Sequence, residues 1–98
     1  MTDLAAFNAS LVEAEPPPGL SPPVRALWHA ARGEWETAHE IAQRQEGEPA
    51  HDWVHAHLHR VEGDLGNAGY WYRRARRPMA QGDLAAERDA IVAELLRG

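Results

Sequence analysis

Residues 51–77 constrain the fold most, because they carry two helical apolar stripes around a glycine. The stripes have spacings of one, three and four residues: Val54, Leu58, Val61 and Leu65, then Ala68, Trp71, Tyr72 and Ala75. Such spacings place each set on one helix face. Gly63 can take the left-handed conformation that ends a helix, and Asp64 can cap the next one, with Asn67 as the rival cap. The stretch therefore predicts a helical hairpin.

A similar pattern precedes this hairpin by 30 residues. Five positions agree in type or register with five later ones: Ala26, His29, Gly33, Ala38 and Ala42, against Ala56, His59, Gly63, Ala68 and Tyr72. Agreement at five offsets indicates an internal repeat. Two stacked hairpins leave apolar faces uncovered, so we expect flanking helices to cover them.

The remaining segments supply these covers within one domain, residues 1–98. We expect an N-terminal helix over 1–14, a proline-rich connector over 15–23, the first hairpin over 24–46, the second over 49–77 and a capping helix over 82–97. Five prolines between residues 15 and 23 exclude a regular helix there. No segment alternates with the period of a strand. The predicted fold is all-α, with about six helices.

The second hairpin resembles the tetratricopeptide repeat. That family has a small residue, an aromatic, a glycine, a small residue, an aromatic and a small residue where this chain has Ala56, His59, Gly63, Ala68, Tyr72 and Ala75. His59 departs from the usual aromatic. Residues 67–75, NAGYWYRRA, are also similar to the signature of Sel-one-like repeats. The resemblance implies a helical repeat used mainly for protein–protein contact, and it does not imply catalysis.

Composition narrows the classes of function. The chain has no cysteine, which excludes disulfides, thiolate metal sites and thiol nucleophiles. The net charge of −5 argues against general nucleic-acid binding. No apolar run approaches the roughly 20 residues of a membrane span, and the N-terminus lacks the pattern of a secretory signal. We therefore expect a cytoplasmic protein without nucleic-acid or membrane partners.

Four tryptophans in 98 residues favour a partner-binding surface, because so small a domain rarely hides them all. The candidate partner-binding residues are Trp35, Trp53, Tyr70, Trp71, Arg73 and Arg74. Each aromatic has burial in the core as its competing interpretation, and the arginines can simply compensate a helix dipole. The first hypothesis is a non-catalytic protein–protein interaction module, whose partner is a protein, a peptide or a second copy. A fixed subunit of a larger assembly is a further possibility.

The alternative hypothesis is a metal-binding protein that uses zinc or a similar ion. Its function would be hydrolytic or regulatory. His51, His55 and His59 follow one another at spacings of four along one side of a helix, and Glu62 joins them. Two imidazoles so spaced can share a metal, so the alternative site is His55, His59 and Glu62. Against it, His29 and His59 occupy matching repeat positions, which favours packing. Under the first hypothesis, we expect a protein without a bound metal, without a cofactor and without enzymatic activity.

Overall fold

The computed structural model describes residues 2–97, and within them the chain forms six α-helices and one 3₁₀ turn. The helices are α1 (Leu4–Ala9), α2 (Pro22–Ala31), α3 (Trp35–Gln43), α4 (Pro49–Val61), α5 (Leu65–Ala75) and α6 (Leu84–Arg97), and the turn is Ser10–Val12. The prediction of an all-α fold with about six helices is confirmed. No helix in this part of the chain is long and apolar enough to cross a membrane.

The two hairpin corners have the same geometry. Gly33 and Gly63 have φ angles of 81° and 86°, a left-handed conformation that favours glycine. In each corner the residue after the glycine donates its backbone N–H to a carbonyl five residues earlier, at 3.0 Å. This bond closes the end of the preceding helix. The side chain of Asp64 caps α5 by accepting a hydrogen bond from the backbone N–H of Asn67 at 3.2 Å. Asp64 is therefore the cap, and Asn67 is not.

Helices α2 to α5 stack in chain order, each against the next, and α6 crosses over α1, α2 and α4. The main core lies between α1, α2, α3, α4 and α6. Its largest fully buried apolar side chains are Phe7, Val24, Leu27, Trp28, Val54, Leu58, Ile91 and Val92. A smaller cluster joins α4 to α5 around Ala56, Ala68, Trp71 and Tyr72. The stack leaves α4 in the middle, enclosed by neighbours.

A buried carboxylate fastens α6 to α4 and α5. The side chain of Glu87 is 7% exposed and accepts hydrogen bonds from His57 Nδ1 at 2.7 Å, from Arg60 Nη1 at 3.0 Å and from the Tyr72 hydroxyl. Burial alone would raise the pKa of Glu87, but these donors outweigh it and hold that pKa below its ordinary value. Burial and the Glu87 carboxylate raise the pKa of Tyr72.

The corner geometry predicts opposite responses at two neighbouring glycines. Alanine at Gly63 must keep a left-handed φ, which lowers the free energy of unfolding by about 1 kcal/mol. Gly66 lies inside α5 without a positive φ, so Gly66→Ala leaves that free energy unchanged or raises it by up to about 1 kcal/mol. An added Cβ meets nothing within 4 Å at either position, so conformation alone differs. Urea unfolding followed by circular dichroism compares the two variants, and equal effects would contradict this account.

The carboxylate network predicts a large loss of stability for Glu87→Gln. Removing the charge leaves Arg60 buried without its counterion, which lowers the free energy of unfolding by about 3 kcal/mol. Glu94→Gln is the matched control on α6, because Glu94 also pairs with an arginine but is 40% exposed. It should lower stability far less than Glu87→Gln does, because solvent screens an exposed ion pair.

The same network predicts a pH dependence. Because the pKa of Glu87 is lower in the folded than in the unfolded chain, its stabilisation is complete above the ordinary pKa of 4.5. It disappears as the pH falls through the folded pKa. Denaturant unfolding at several acidic pH values should therefore show a steeper loss of stability in the native chain than in Glu87→Gln. Parallel curves would contradict it.

Candidate metal centre

Three histidines meet where α3 packs on α4. His55 and His59 are one helical turn apart on α4, and α3 brings His39 against them. The ring centroids are separated by 4.7 Å for His39 and His55, 5.2 Å for His39 and His59, and 4.9 Å for His55 and His59. One ring nitrogen from each histidine lies within 4.8 Å of the other two. We call these residues the histidine trio.

The ring nitrogens of the trio are oriented by their neighbours. The Nε2 atoms of His39 and His55 are 3.0 Å apart. His59 Nδ1 lies 2.6 Å from Glu62 Oε1, so it carries the proton that the carboxylate accepts. The lone pair of His59 is therefore on Nε2, which lies 3.3 Å from the amide nitrogen of Asn67. A carboxylate that fixes the tautomer and orientation of a histidine is a common outer partner of metal ligands.

Aromatic side chains enclose the trio on two sides. Trp35 stacks on His39 with 4.7 Å between ring centroids, and Trp71 stacks on His55 with 4.0 Å. His55 is only 3% exposed, and its Nδ1 atom has no hydrogen-bond partner in the part of the chain that the structure describes. Leaving a buried polar atom unpaired costs about 1–3 kcal/mol.

Two members of the trio, His39 and His55, favour the uncharged imidazole. Burial, followed by the neighbouring His39 and His59, lowers the pKa of His55 to about 3. Burial and His59 also lower the pKa of His39, although Glu62 and Glu46 act in the opposite direction. A histidine must be deprotonated at the nitrogen that binds a metal. Burial therefore favours neutral His39 and His55, and a metal would have to displace the one proton shared between their two Nε2 atoms.

The spacing of the trio suits a small divalent ion. Nitrogens bound at 2.0–2.1 Å in a tetrahedral zinc site lie about 3.3 Å from one another. The two Nε2 atoms of His39 and His55 are already this close, at 3.0 Å. A ring nitrogen of His59 is within 4.8 Å of a ring nitrogen of each, so His59 has to come closer by no more than about 1.5 Å to complete a three-nitrogen set.

The predicted metal residues are only partly brought together as ligands. His55 and His59 are neighbours as expected, but Glu62 contacts the Nδ1 side of His59 and acts as its orienting partner. His51 does not belong to the trio, because its Nδ1 pairs with Glu48 at the start of α4. A second grouping, His59 with Glu62 and Asp64, places two exposed carboxylates on the outer side of the trio.

Sequence reasoning missed His39. Its spacing relative to His55 carries no motif, because the two residues lie on different helices. A usable signal was the hairpin order, since α3 packs against α4 and His39 is the only histidine of α3. Any polar side chain of α3 on that side was a candidate neighbour of His55.

The predicted partner-binding residues fall into three locations. Trp35 and Trp71 wall the trio, and the Trp35 indole N–H also donates to the Leu58 carbonyl at 2.7 Å. Trp53 is half-buried beneath the guanidinium of Arg77, 3.8 Å from its ring centroid. The solvent-exposed members are Tyr70, Arg73 and Arg74, all on α5.

Comparison of the chain with protein families, with curated proteins and with solved structures gives no match. The resemblance to tetratricopeptide and Sel-one-like repeats therefore stays a prediction.

Proposed function

We propose that the protein binds one first-row transition-metal ion through His39, His55 and His59. The observation that supports this proposal is the convergence of three ring nitrogens within 4.8 Å of one another, in a buried and aromatic setting. Imidazole nitrogen suits Zn²⁺, Cu²⁺ and Ni²⁺, whereas Mg²⁺ and Ca²⁺ prefer oxygen ligands. The expected ion is therefore zinc or one of its neighbours in the row.

Two further residues have roles in this proposal. Glu62 holds the Nδ1 proton of His59, which keeps the His59 Nε2 lone pair available. The side-chain amide of Asn67 lies 3.3 Å from that Nε2 atom. This amide has to move aside when a metal binds, because the metal uses the same lone pair. Three protein ligands leave a fourth position for water or another oxygen ligand.

The proposed role is structural or sensing, not catalytic. Trp35 and Trp71 cover two sides of the trio, which restricts the approach of a substrate. A bound ion joins α3 to α4 and so connects the first hairpin to the second. Because the unfolded chain has no assembled site, a metal at 100 times its dissociation constant stabilises the fold by about 2.7 kcal/mol.

We propose the cytoplasm as the compartment of the protein, since the cysteine-free chain makes no use of an oxidising compartment.

The competing explanation is that the histidines only fill space and hydrogen-bond to one another. His29 separates the two explanations, because it occupies the repeat position that matches His59. It has the same type of carboxylate contact, with Nδ1 2.8 Å from Glu34 Oε1. Its ring, however, lies against Trp28 and outside the trio. His29 is therefore a packing histidine in the same structural context.

The proposal predicts stoichiometric metal binding that depends on the trio. Untagged protein, stripped of metal and titrated with Zn²⁺ by calorimetry, should bind one equivalent. His39→Gln and His59→Gln should weaken binding by more than about 100-fold, and Glu62→Gln by about 10–100-fold. His29→Gln should bind as the native protein does. Cu²⁺ should also quench tryptophan fluorescence, because Trp35 and Trp71 touch the proposed ligands.

Co²⁺ gives a second readout that does not depend on affinity alone. Tetrahedral Co²⁺, bound by three histidine nitrogens and one oxygen ligand, absorbs visible light. This absorption should vanish in His59→Gln and persist in His29→Gln. Circular dichroism confirms that each variant keeps its helices. The proposal is contradicted if the protein binds none of the four ions Zn²⁺, Cu²⁺, Ni²⁺ and Co²⁺ in one equivalent. Metal binding that survives the loss of His59 also contradicts it.

Protein–protein contact is the second candidate function, favoured by the exposed Tyr70, Arg73 and Arg74 on α5. None of these three residues is a proposed metal ligand. The two candidates therefore do not compete for the same side chains.

A further inference from the structure

A cavity of about 420 Å³ lies where the segment between α5 and α6 meets α4 and α6. Its apolar lining includes Trp53, Met79 and Ile91 and three alanines, Ala80, Ala86 and Ala90. Small-molecule sites have this size, and they are mostly apolar with a few well-placed polar groups. None of the lining residues belongs to the histidine trio, so this cavity is a separate candidate site.

Four polar side chains line the same cavity, namely Arg77, Gln81, Asp83 and Glu87. The positive groups beside it already have carboxylate partners. Arg77 pairs with Glu94, and its guanidinium lies over the Trp53 ring, 3.8 Å from the centroid. The positive N-terminal end of α6 is capped by Asp83, whose Oδ2 accepts the Ala86 N–H at 3.0 Å. An anionic ligand would therefore have to displace a carboxylate of the protein.

The hydrogen-bonding capacity that remains on the two lining carboxylates is that of acceptors. Glu87 Oε1 accepts from His57 and Arg60, whereas Oε2 accepts only from the Tyr72 hydroxyl within the described residues. A carboxylate oxygen can accept two hydrogen bonds, so Oε2 can take one more. Asp83 Oδ1 accepts none in this part of the chain. A ligand that donates hydrogen bonds therefore suits the cavity.

The charges around the cavity favour a cationic donor. Glu87 is ionised at neutral pH, because its donors hold its pKa below the ordinary value. Arg60 pairs with Glu87, and Glu94 pairs with Arg77. Asp83 belongs to no ion pair within residues 2–97. One negative charge is therefore left over, and it attracts a ligand with a single positive charge.

We propose that this cavity binds a small primary amine that carries one apolar group, such as a phenyl ring or a short alkyl chain. A primary amine is protonated at neutral pH, as the lysine side chain is. Its ammonium donates to Glu87 Oε2 and attracts the Asp83 carboxylate, and charge strengthens such hydrogen bonds. Its apolar group packs against Trp53, Met79 and Ile91.

Binding of matched small molecules tests the proposal. The probes are hexylamine, phenethylamine and tryptamine, each compared with the alcohol and the carboxylate that carry the same apolar group. Titration of the isotope-labelled full chain, followed by NMR, measures each dissociation constant and identifies the residues whose signals shift. At least one amine should bind about tenfold or more tightly than its alcohol and its carboxylate. The shifted signals should centre on residues 77–91.

Two pairs of variants locate the site. Asp83→Asn removes a carboxylate but keeps a good cap residue, and it should weaken amine binding about three- to tenfold. Asp64→Asn makes the same change at the cap of α5, and it should bind within about twofold of the native protein, because distant charges are screened.

The second pair tests the space itself. Ala90→Phe fills the cavity from an exposed position of α6 and should weaken amine binding by more than about tenfold. Ala85→Phe makes the same change at an exposed alanine of α6 outside the lining, and it should leave binding unchanged. Circular dichroism checks that both variants keep their helices.

Four results would overturn the proposal. They are failure of all three amines to bind, equal or tighter binding of the alcohols or carboxylates, native-like binding by Ala90→Phe, and signal shifts centred outside residues 77–91. His59→Gln should bind the amines as the native protein does. Failure of the metal centre and failure of the amine site are therefore distinguishable.

Discussion

The rest of the structure depends on the burial of α4, whose polar side chains must find partners inside the fold. Four histidines of α4 are buried. Three contact a glutamate: His51 with Glu48, His57 with Glu87 and His59 with Glu62. The fourth, His55, contacts another histidine, His39, and its Nδ1 has no hydrogen-bond partner within residues 2–97. His55 therefore differs from the other three in having an imidazole in place of a carboxylate as its partner.

The sequence predicted the features that depend on neighbours along the chain. Gly33 and Gly63 lie at corners because a left-handed backbone ends a helix wherever it occurs, and periodicity marked the faces on either side. His51 shows the limit of such reasoning. Its spacing puts it in line with His55, but at the helix start Glu48 is close enough to take its Nδ1. Spacing defines a face and does not define which side chains on that face are free.

Contacts between distant residues were not predictable in the same way. Glu87 meets His57 and Arg60 across 30 and 27 residues, and His55 meets His39 across 16. Each contact depends on the angle and height at which two helices pack, and a single sequence does not fix these quantities. The proposed metal centre was therefore predicted on α4 alone, with Glu62 in the role that His39 takes.

Helix α5 shows how one short segment can belong to two different surfaces. Tyr70 and Trp71 are consecutive, so they point about 100° apart around the helix axis. Trp71 packs inward on His55 and encloses the trio, while Tyr70 is exposed to solvent. The guanidinium of Arg74 lies over both rings, 5.7 Å from the Tyr70 centroid and 5.2 Å from the Trp71 centroid. The aromatic run of the second hairpin therefore divides between a wall of the histidine trio and an exposed surface, and a common role for all its members is not required.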